Sequence, residues 1–149
     1  MAGQDAVCCT IGVKAPWIRV TVFSEGTRNL LQAMKNTGVR RLICVTGIGA
    51  GDSRGHGGLL YDRIFYPLLL WPIYADKDRQ ESLIRASDVD WTIVRPGFLT
   101  NGPLTRNYRM LTNMTGVTAG WVSRADVADF MLKELETNQY LRQTPLLTY

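Results

Sequence analysis

One stretch, Asp90-Trp-Thr-Ile-Val-Arg-Pro-Gly97, constrains this chain more than any other. Trp91 to Val94 is a run of β-favouring residues, held between the polar turn Ser87–Asp90 and the break at Pro96-Gly97. A polar helical pattern from Asp76 to Ala86 precedes it, with Leu83 and Ile84 as its buried residues. Helix, buried strand and Pro-Gly break, in that order, are how an α/β chain ends a parallel strand. Open α/β sheets bind their ligands beyond the carboxyl ends of such strands.

The other elements can be placed around this strand. Ala6 to Ile11 is a continuous apolar run ending in Gly12, as expected of a strand covered on both faces. Val13 to Val22 reads as a loop around Pro16. Ser24 is a plausible N-cap for a helix over about Glu25–Asn36, with Leu30, Leu31 and Met34 as its buried stripe and Gly38 in the terminating position. Leu42–Thr46 is a second buried strand, and Gly47–Gly58 a flexible glycine-rich loop. Leu59–Tyr74 is apolar but broken by prolines, and reads as irregular or as two short helical pieces. After a turn-rich stretch from Phe98 to Thr118, Ser123 and Asp126 form a capping signal for a helix to about Leu135. Val127, Phe130, Met131 and Leu135 recur along it as a core face. Leu146–Tyr149 completes the pattern as an edge strand. Strands alternating with helices give an α/β class with a parallel sheet, here one domain over residues 1–149.

Composition narrows the function. Basic residues outnumber acidic ones by only 17 to 13 and are scattered, without a stripe of Lys and Arg among aromatics, so nucleic acid is not an expected partner. The most apolar segment, Ile64–Ala75, is interrupted by Pro67 and Pro72 and too short to span a bilayer. Cys8, Cys9 and Cys44 form no disulfide framework or zinc spacing, and the adjacent pair Cys8-Cys9 reads as small buried hydrophobes in a reducing, cytoplasmic setting. The lone His56 reads as an exposed loop residue rather than a metal ligand.

Gly47-Ile-Gly-Ala-Gly51 follows a strand, as a dinucleotide fingerprint should, but Asp52 stands where the third glycine belongs and no helix pattern follows. The sequence has no Gly-x-Ser-x-Gly nucleophile elbow. Lys77 and Tyr74 are of interest by position, an ammonium and a phenol shortly before the organising strand; together they resemble a tuned proton donor.

Asp90–Gly97, preceded by a helix carrying Lys77, resembles the atypical short-chain dehydrogenase/reductases. So do Gly3–Val7 with Gly12 and Ser24–Asn29, Val45-Thr46-Gly47, and Ser123-Arg-Ala-Asp-Val-Ala128. Within that group the chain is most similar to NAD(P)H-binding proteins of the biliverdin-IX-beta reductase (flavin reductase) and NmrA-like kinds. The resemblance implies a Rossmann-like parallel sheet with flanking helices, of which this chain holds the C-terminal part only. The family's opening strand, Gly-x-x-Gly-x-x-Gly turn and helix have no counterpart before Gly3, so the chain is expected to be truncated relative to the family by about 70 residues.

The resemblance also implies roles. Gly12 and Val13 would lie along the adenosine side of NADP or NAD, and Ser24 would face the cofactor from a helix cap. Thr46 and Lys77 would approach the nicotinamide ribose, and Pro96, Gly97 and Phe98 would hold the nicotinamide. Lys77, Thr46 and Tyr74 are the implied catalytic set. The family's tyrosine falls at Ile73, with Tyr74 offset by one; Gly47 lacks a hydroxyl; Phe98 replaces the histidine of the biliverdin-type reductases. The expected partners are a nicotinamide cofactor and a small-molecule acceptor, such as a flavin. Two alternatives stay open: a non-catalytic NAD(P)-sensing or interaction protein of the NmrA-like kind, and a cofactor-free truncated product.

Overall fold

The computed structural model describes residues 1, 3–13, 20–59 and 61–149, and only the backbone of residues 61, 65, 66 and 69. Three parallel strands, β1 (Ala6–Cys9), β2 (Arg41–Val45) and β3 (Asp90–Pro96), lie side by side in register from Ala6↔Arg41 to Val45↔Val94. Helix α1 (Val22–Thr37) links β1 to β2, and α2 (Trp71–Arg85) precedes β3. After β3 come β4 (Phe98–Thr100), β5 (Arg109–Leu111), β6 (Trp121–Ser123), α3 (Arg124–Thr137) and β7 (Leu146–Thr148). The main sheet runs β1-β2-β3-β7-β5, with β5 antiparallel to β7. Strands β4 and β6 form a separate parallel pair.

Alternation along the strands builds a core on each face. Cys9, Leu42, Cys44, Trp91 and Ile93 pack with Met34 of α1 and Ile84 of α2 on one side. Ile43, Val94 and Leu147 pack with Val127, Phe130 and Met131 of α3 on the other. The same alternation turns Cys8 away from Cys9 and leaves it exposed, where a buried thiol was expected.

The helix boundaries differ from the local signals, for tertiary reasons. Helix α1 starts at Val22, and Thr21, not Ser24, holds the N-cap place without a side-chain bond. Asp76 of α2 supplies the missing cap: its carboxylate accepts the backbone N–H groups of Phe23 (2.9 Å) and Ser24 (3.3 Å). Helix α1 does end at Gly38, whose φ of 75° suits glycine. Helix α2 begins at Trp71 rather than Asp76, because Pro72 sits in the first turn, where its missing N–H costs nothing. The stretch before it, Tyr61–Leu70, is wound as a wide π-helix that contains Pro67, not as irregular chain or two short pieces.

The remaining differences concern short or buried pieces. Strand β7 lies inside the sheet, and β5 takes the edge foreseen for it. Strands β4, β5 and β6 are three residues each, too short to leave a period in the sequence. The glycine-rich loop is packed: Gly47–Ala50 are buried, and Ser53 Oγ accepts from Gly49 N and donates to the Ala50 carbonyl. His56 is half-buried with Nδ1 2.8 Å from the Val117 carbonyl, so it is a structural contact rather than an exposed residue. The Pro16 loop falls in residues 14–19, outside the described chain. Among the described residues no helix is long and apolar enough to cross a membrane.

Candidate functional site

Beyond the carboxyl ends of β1 and β2 lies a cleft of about 530 Å³. The segment after β1, Thr10–Val13, and Thr46 after β2 form its strand side, with Leu99 of β4 beside them. Helix α2 contributes Ile73 and Lys77, one turn apart, and α1 contributes Phe23. Helix α3 closes the opposite side with Arg124, Val127, Ala128 and Met131. The walls are mainly apolar, and among the described residues Lys77 and Arg124 are the cations lining them. Two grooves of about 590 Å³ on the outer surface of α1 and α2 include no residue from a strand's carboxyl end.

Lys77 is the most constrained of these groups. Its side chain is buried, Nζ donates to the Thr46 carbonyl at 2.5 Å, and it sits 4.5 Å from the centroid of the Phe23 ring. Burial pushes its ammonium below the ordinary lysine range, partly offset by Cys44, Glu81, Cys9 and Asp76. The charge is therefore held by dipoles and a ring face rather than by a direct carboxylate bond.

The Thr46 hydroxyl is committed within the fold, donating to Glu81 Oε1 at 2.8 Å. Glu81 in turn takes Arg95 in two bonds, Nε to Oε1 at 3.0 Å and Nη2 to Oε2 at 2.6 Å. Arg95 Nη2 also lies 2.7 Å from Asp52. Burial alone would lower the Arg95 guanidinium, but Glu81 and Asp52 outweigh it and raise it. Burial likewise favours the neutral Asp52, yet the bond and charge of Arg95 hold its carboxyl below the usual range. This network lies under the end of β2 and fixes the carbonyl on which Lys77 rests.

Sequence reasoning missed that network, although a signal existed. Arg95 interrupts a buried apolar strand, and an arginine there requires a partner; Glu81 lies 14 residues earlier on the adjoining helix.

The structure brings Gly12, Val13, Thr46 and Lys77 into one cleft. Gly12 is exposed, and a Cβ there would meet nothing within 4 Å. Ser24 is not brought to the cleft; its buried hydroxyl donates to Asp76. Tyr74 Oη lies beside Gly47, 3.4 Å from where a Cβ would stand, while its neighbour Ile73 lines the cleft. Pro96, Gly97 and Phe98 spend much of their backbone inside the fold. The Pro96 carbonyl accepts from Ile48 N (3.0 Å), Gly97 N donates to Leu147 O (2.9 Å), and Phe98 N donates to Gly120 O (2.9 Å). The Phe98 ring stacks tilted on Trp121 at 5.3 Å, and Leu99 beyond it faces the cleft.

A family model described as NAD(P)H-binding matches residues 1–138. The chain belongs to the NAD(P)H-binding family. Its cofactor class is therefore the nicotinamide dinucleotides. An uncharacterised chloroplastic protein of Arabidopsis thaliana is 31% identical over 138 residues, which cover 89% of this chain and 48% of that protein. The chain spans about half the length of the curated relatives it matches. Among solved structures, ChuY of Escherichia coli O157:H7, an anaerobilin reductase, superposes with a TM-score of 0.73 at 24% identity, over 89% of this chain and 61% of that one. A short-chain dehydrogenase/reductase of Veillonella parvula in complex with NADP gives a TM-score of 0.70 at 20% identity, over 85% and 58%. These two likenesses show the shared Rossmann-like fold of the NAD(P)H-binding family, a mainly parallel sheet flanked by helices.

Proposed function

We propose that this chain acts in an NAD(P)H-dependent oxidoreductase that reduces a flavin or a similar conjugated small molecule. The observation that carries the reading is Lys77, an ammonium buried at the back of an apolar cleft where strands end, in a chain of the NAD(P)H-binding family. The residues present fit such a cofactor: open space over the Gly12 backbone, apolar walls for a flat ring, and one fixed cation. When bound, the cofactor supplies a hydride, two electrons with one hydrogen, and solvent supplies the proton that completes reduction of the acceptor.

In this reading Lys77 orients the nicotinamide ribose and Thr46 positions Lys77 through its carbonyl. Gly12 and Val13 lie along the adenosine; Pro96, Gly97 and Phe98 are not carried into this reading, because none of them lines the cleft and Pro96 O, Gly97 N and Phe98 N are bonded inside the fold. Ser24 fastens α1 to α2 through Asp76 and leaves the cofactor set. Tyr74 has no assigned proton to deliver, which suits an acceptor protonated by water. NADPH is the first cofactor to test, since the Veillonella neighbour holds NADP. A cytoplasmic location is part of the proposal, although the Arabidopsis relative is chloroplastic.

A second reading, an NAD(P)-sensing protein without turnover, is favoured by Ile73 facing the cleft where the resemblance implies a tyrosine. An NADPH titration followed by tryptophan fluorescence, then anaerobic flavin reduction, separates the two. Saturable micromolar binding with turnover supports the reductase, and binding without turnover supports the sensor. No saturation up to about millimolar NADPH refutes both.

A further inference from the structure

Arg124 is, among the described residues, the charged group of the cleft lining to which no role has been given. It opens α3, and Arg124, Val127, Ala128 and Met131 follow at i, i+3, i+4 and i+7, so one stripe of the helix faces the cleft. The stripe is about 10 Å long, with the guanidinium at one end and an apolar wall beyond it. The other cleft cation, Lys77, is buried and committed to the Thr46 carbonyl. Arg124 is exposed, and Nη1 donates to a neutral partner, Asn101 Oδ1, at 2.7 Å.

Arg28, Arg40, Arg54, Arg79, Arg85 and Arg106 each face a carboxylate. Among the described residues Arg63, Arg109, Arg124 and Arg142 have no side-chain carboxylate in an ion pair, and of these four Arg124 is the one that lines the cleft. The acids of the same helix are engaged elsewhere. Asp126 accepts from Ser123, Thr105, Arg106 and Tyr149, and Asp129 accepts from Tyr108 and Lys133. A guanidinium carries five donors in a planar fork matched to carboxylate or phosphate, and the amide engages one nitrogen of it. An incoming anion displaces no internal one.

We propose that Arg124 determines acceptor specificity, taking the phosphate or carboxylate of a conjugated acceptor whose apolar body lies along Val127, Ala128 and Met131. This rests on the reductase reading for the word acceptor, but the anion subsite is tested by binding alone. Riboflavin and its 5′-phosphate, FMN, share one ring and differ by the anion. Equilibrium dialysis of both against the full chain, with and without NADP⁺, reads the subsite directly. FMN is expected to bind about tenfold tighter than riboflavin, with the preference lost in Arg124→Gln and partly retained in Arg124→Lys. The preference should also shrink as salt is raised. Circular dichroism of the variants checks that the exposed substitution leaves the fold intact.

Equal binding of the two flavins, no binding of either, or an FMN preference unchanged in Arg124→Gln overturns the inference. A parallel NADPH titration distinguishes the two sources of phosphate. If Arg124→Gln weakens NADPH while the flavin preference stands, the anion at Arg124 is the cofactor's and the acceptor assignment falls. If NADPH fails to bind but the flavin preference and its loss persist, the reductase reading falls and the anion subsite stands.

Discussion

Replacing Glu81 by leucine tests whether a buried ion pair, rather than apolar packing alone, holds the floor of the cleft. Arg95 is 0% exposed and Glu81 2%, so neither charge has water to fall back on. Glu81→Leu removes both carboxylate bonds to Arg95 and the acceptor of the Thr46 hydroxyl. The guanidinium is left with Asp52, whose side chain is 71% exposed and therefore screened. Stranding one half of such a pair costs about 3–5 kcal/mol. For a chain of this size that corresponds to a drop in Tm of roughly 6–20 °C. Arg95→Met strands Glu81 in turn, with Arg85 as the remaining cation at 3.6 Å.

The double variant removes both charges and should cost less than the sum of the two, with a coupling of about 2 kcal/mol or more. One detail supports this: Arg95 Nη1 has no partner among the described residues, so the intact pair is itself imperfectly satisfied. Urea unfolding of the four proteins, followed by far-ultraviolet circular dichroism, measures the cycle. Single-variant losses below about 1 kcal/mol, or strictly additive ones, would refute the reasoning.

Three further outcomes are expected. Lys77→Met removes a buried ammonium that costs desolvation, so stability should change by about 1 kcal/mol or less while NADPH affinity falls about tenfold, both read by tryptophan fluorescence in urea and NADPH titrations. Gly97→Ala places a Cβ 2.2 Å from the Gly120 carbonyl oxygen and should cost about 3 kcal/mol, a loss checked by urea unfolding. At Asp126, burial raises the carboxyl, but bonds from Tyr149, Arg106 and Thr105 outweigh it and hold it below its ordinary value of 3.8. Its contribution is then complete above that value and is lost as pH falls through the lower folded value; acid titration by circular dichroism should show a shallower loss in Asp126→Asn than in the parent.

The amino-acid sequence by itself determined the three core strands, three helices and α/β class. Apolar runs covered on both faces, the glycine at position 38 and the Ser123 cap are local devices. Ser123 Oγ accepts from Asp126 N at 2.9 Å, as its spacing foretold. Such devices act over a few residues and survive any tertiary context that leaves the helix in place. Gly12, Thr46 and Lys77, which the resemblance implies as cofactor residues, do share one cleft at the strand ends.

Tertiary structure decided the rest, because the deciding partners are distant in sequence. Ser24 carries a good cap signal, but Asp76, 52 residues away, reaches across from α2 and caps α1 in its place. Thr46 was assigned by resemblance to a ribose, yet Glu81, 35 residues on, takes its hydroxyl. In the sequence Arg124 is marked only as part of the Ser123–Ala128 match. Only the folding of α3 against the strand ends, with every nearby acid already engaged, leaves its guanidinium on the wall of the cleft. A side chain's type states what bonds it can make, while burial and the competing donors and acceptors around it decide which one it makes.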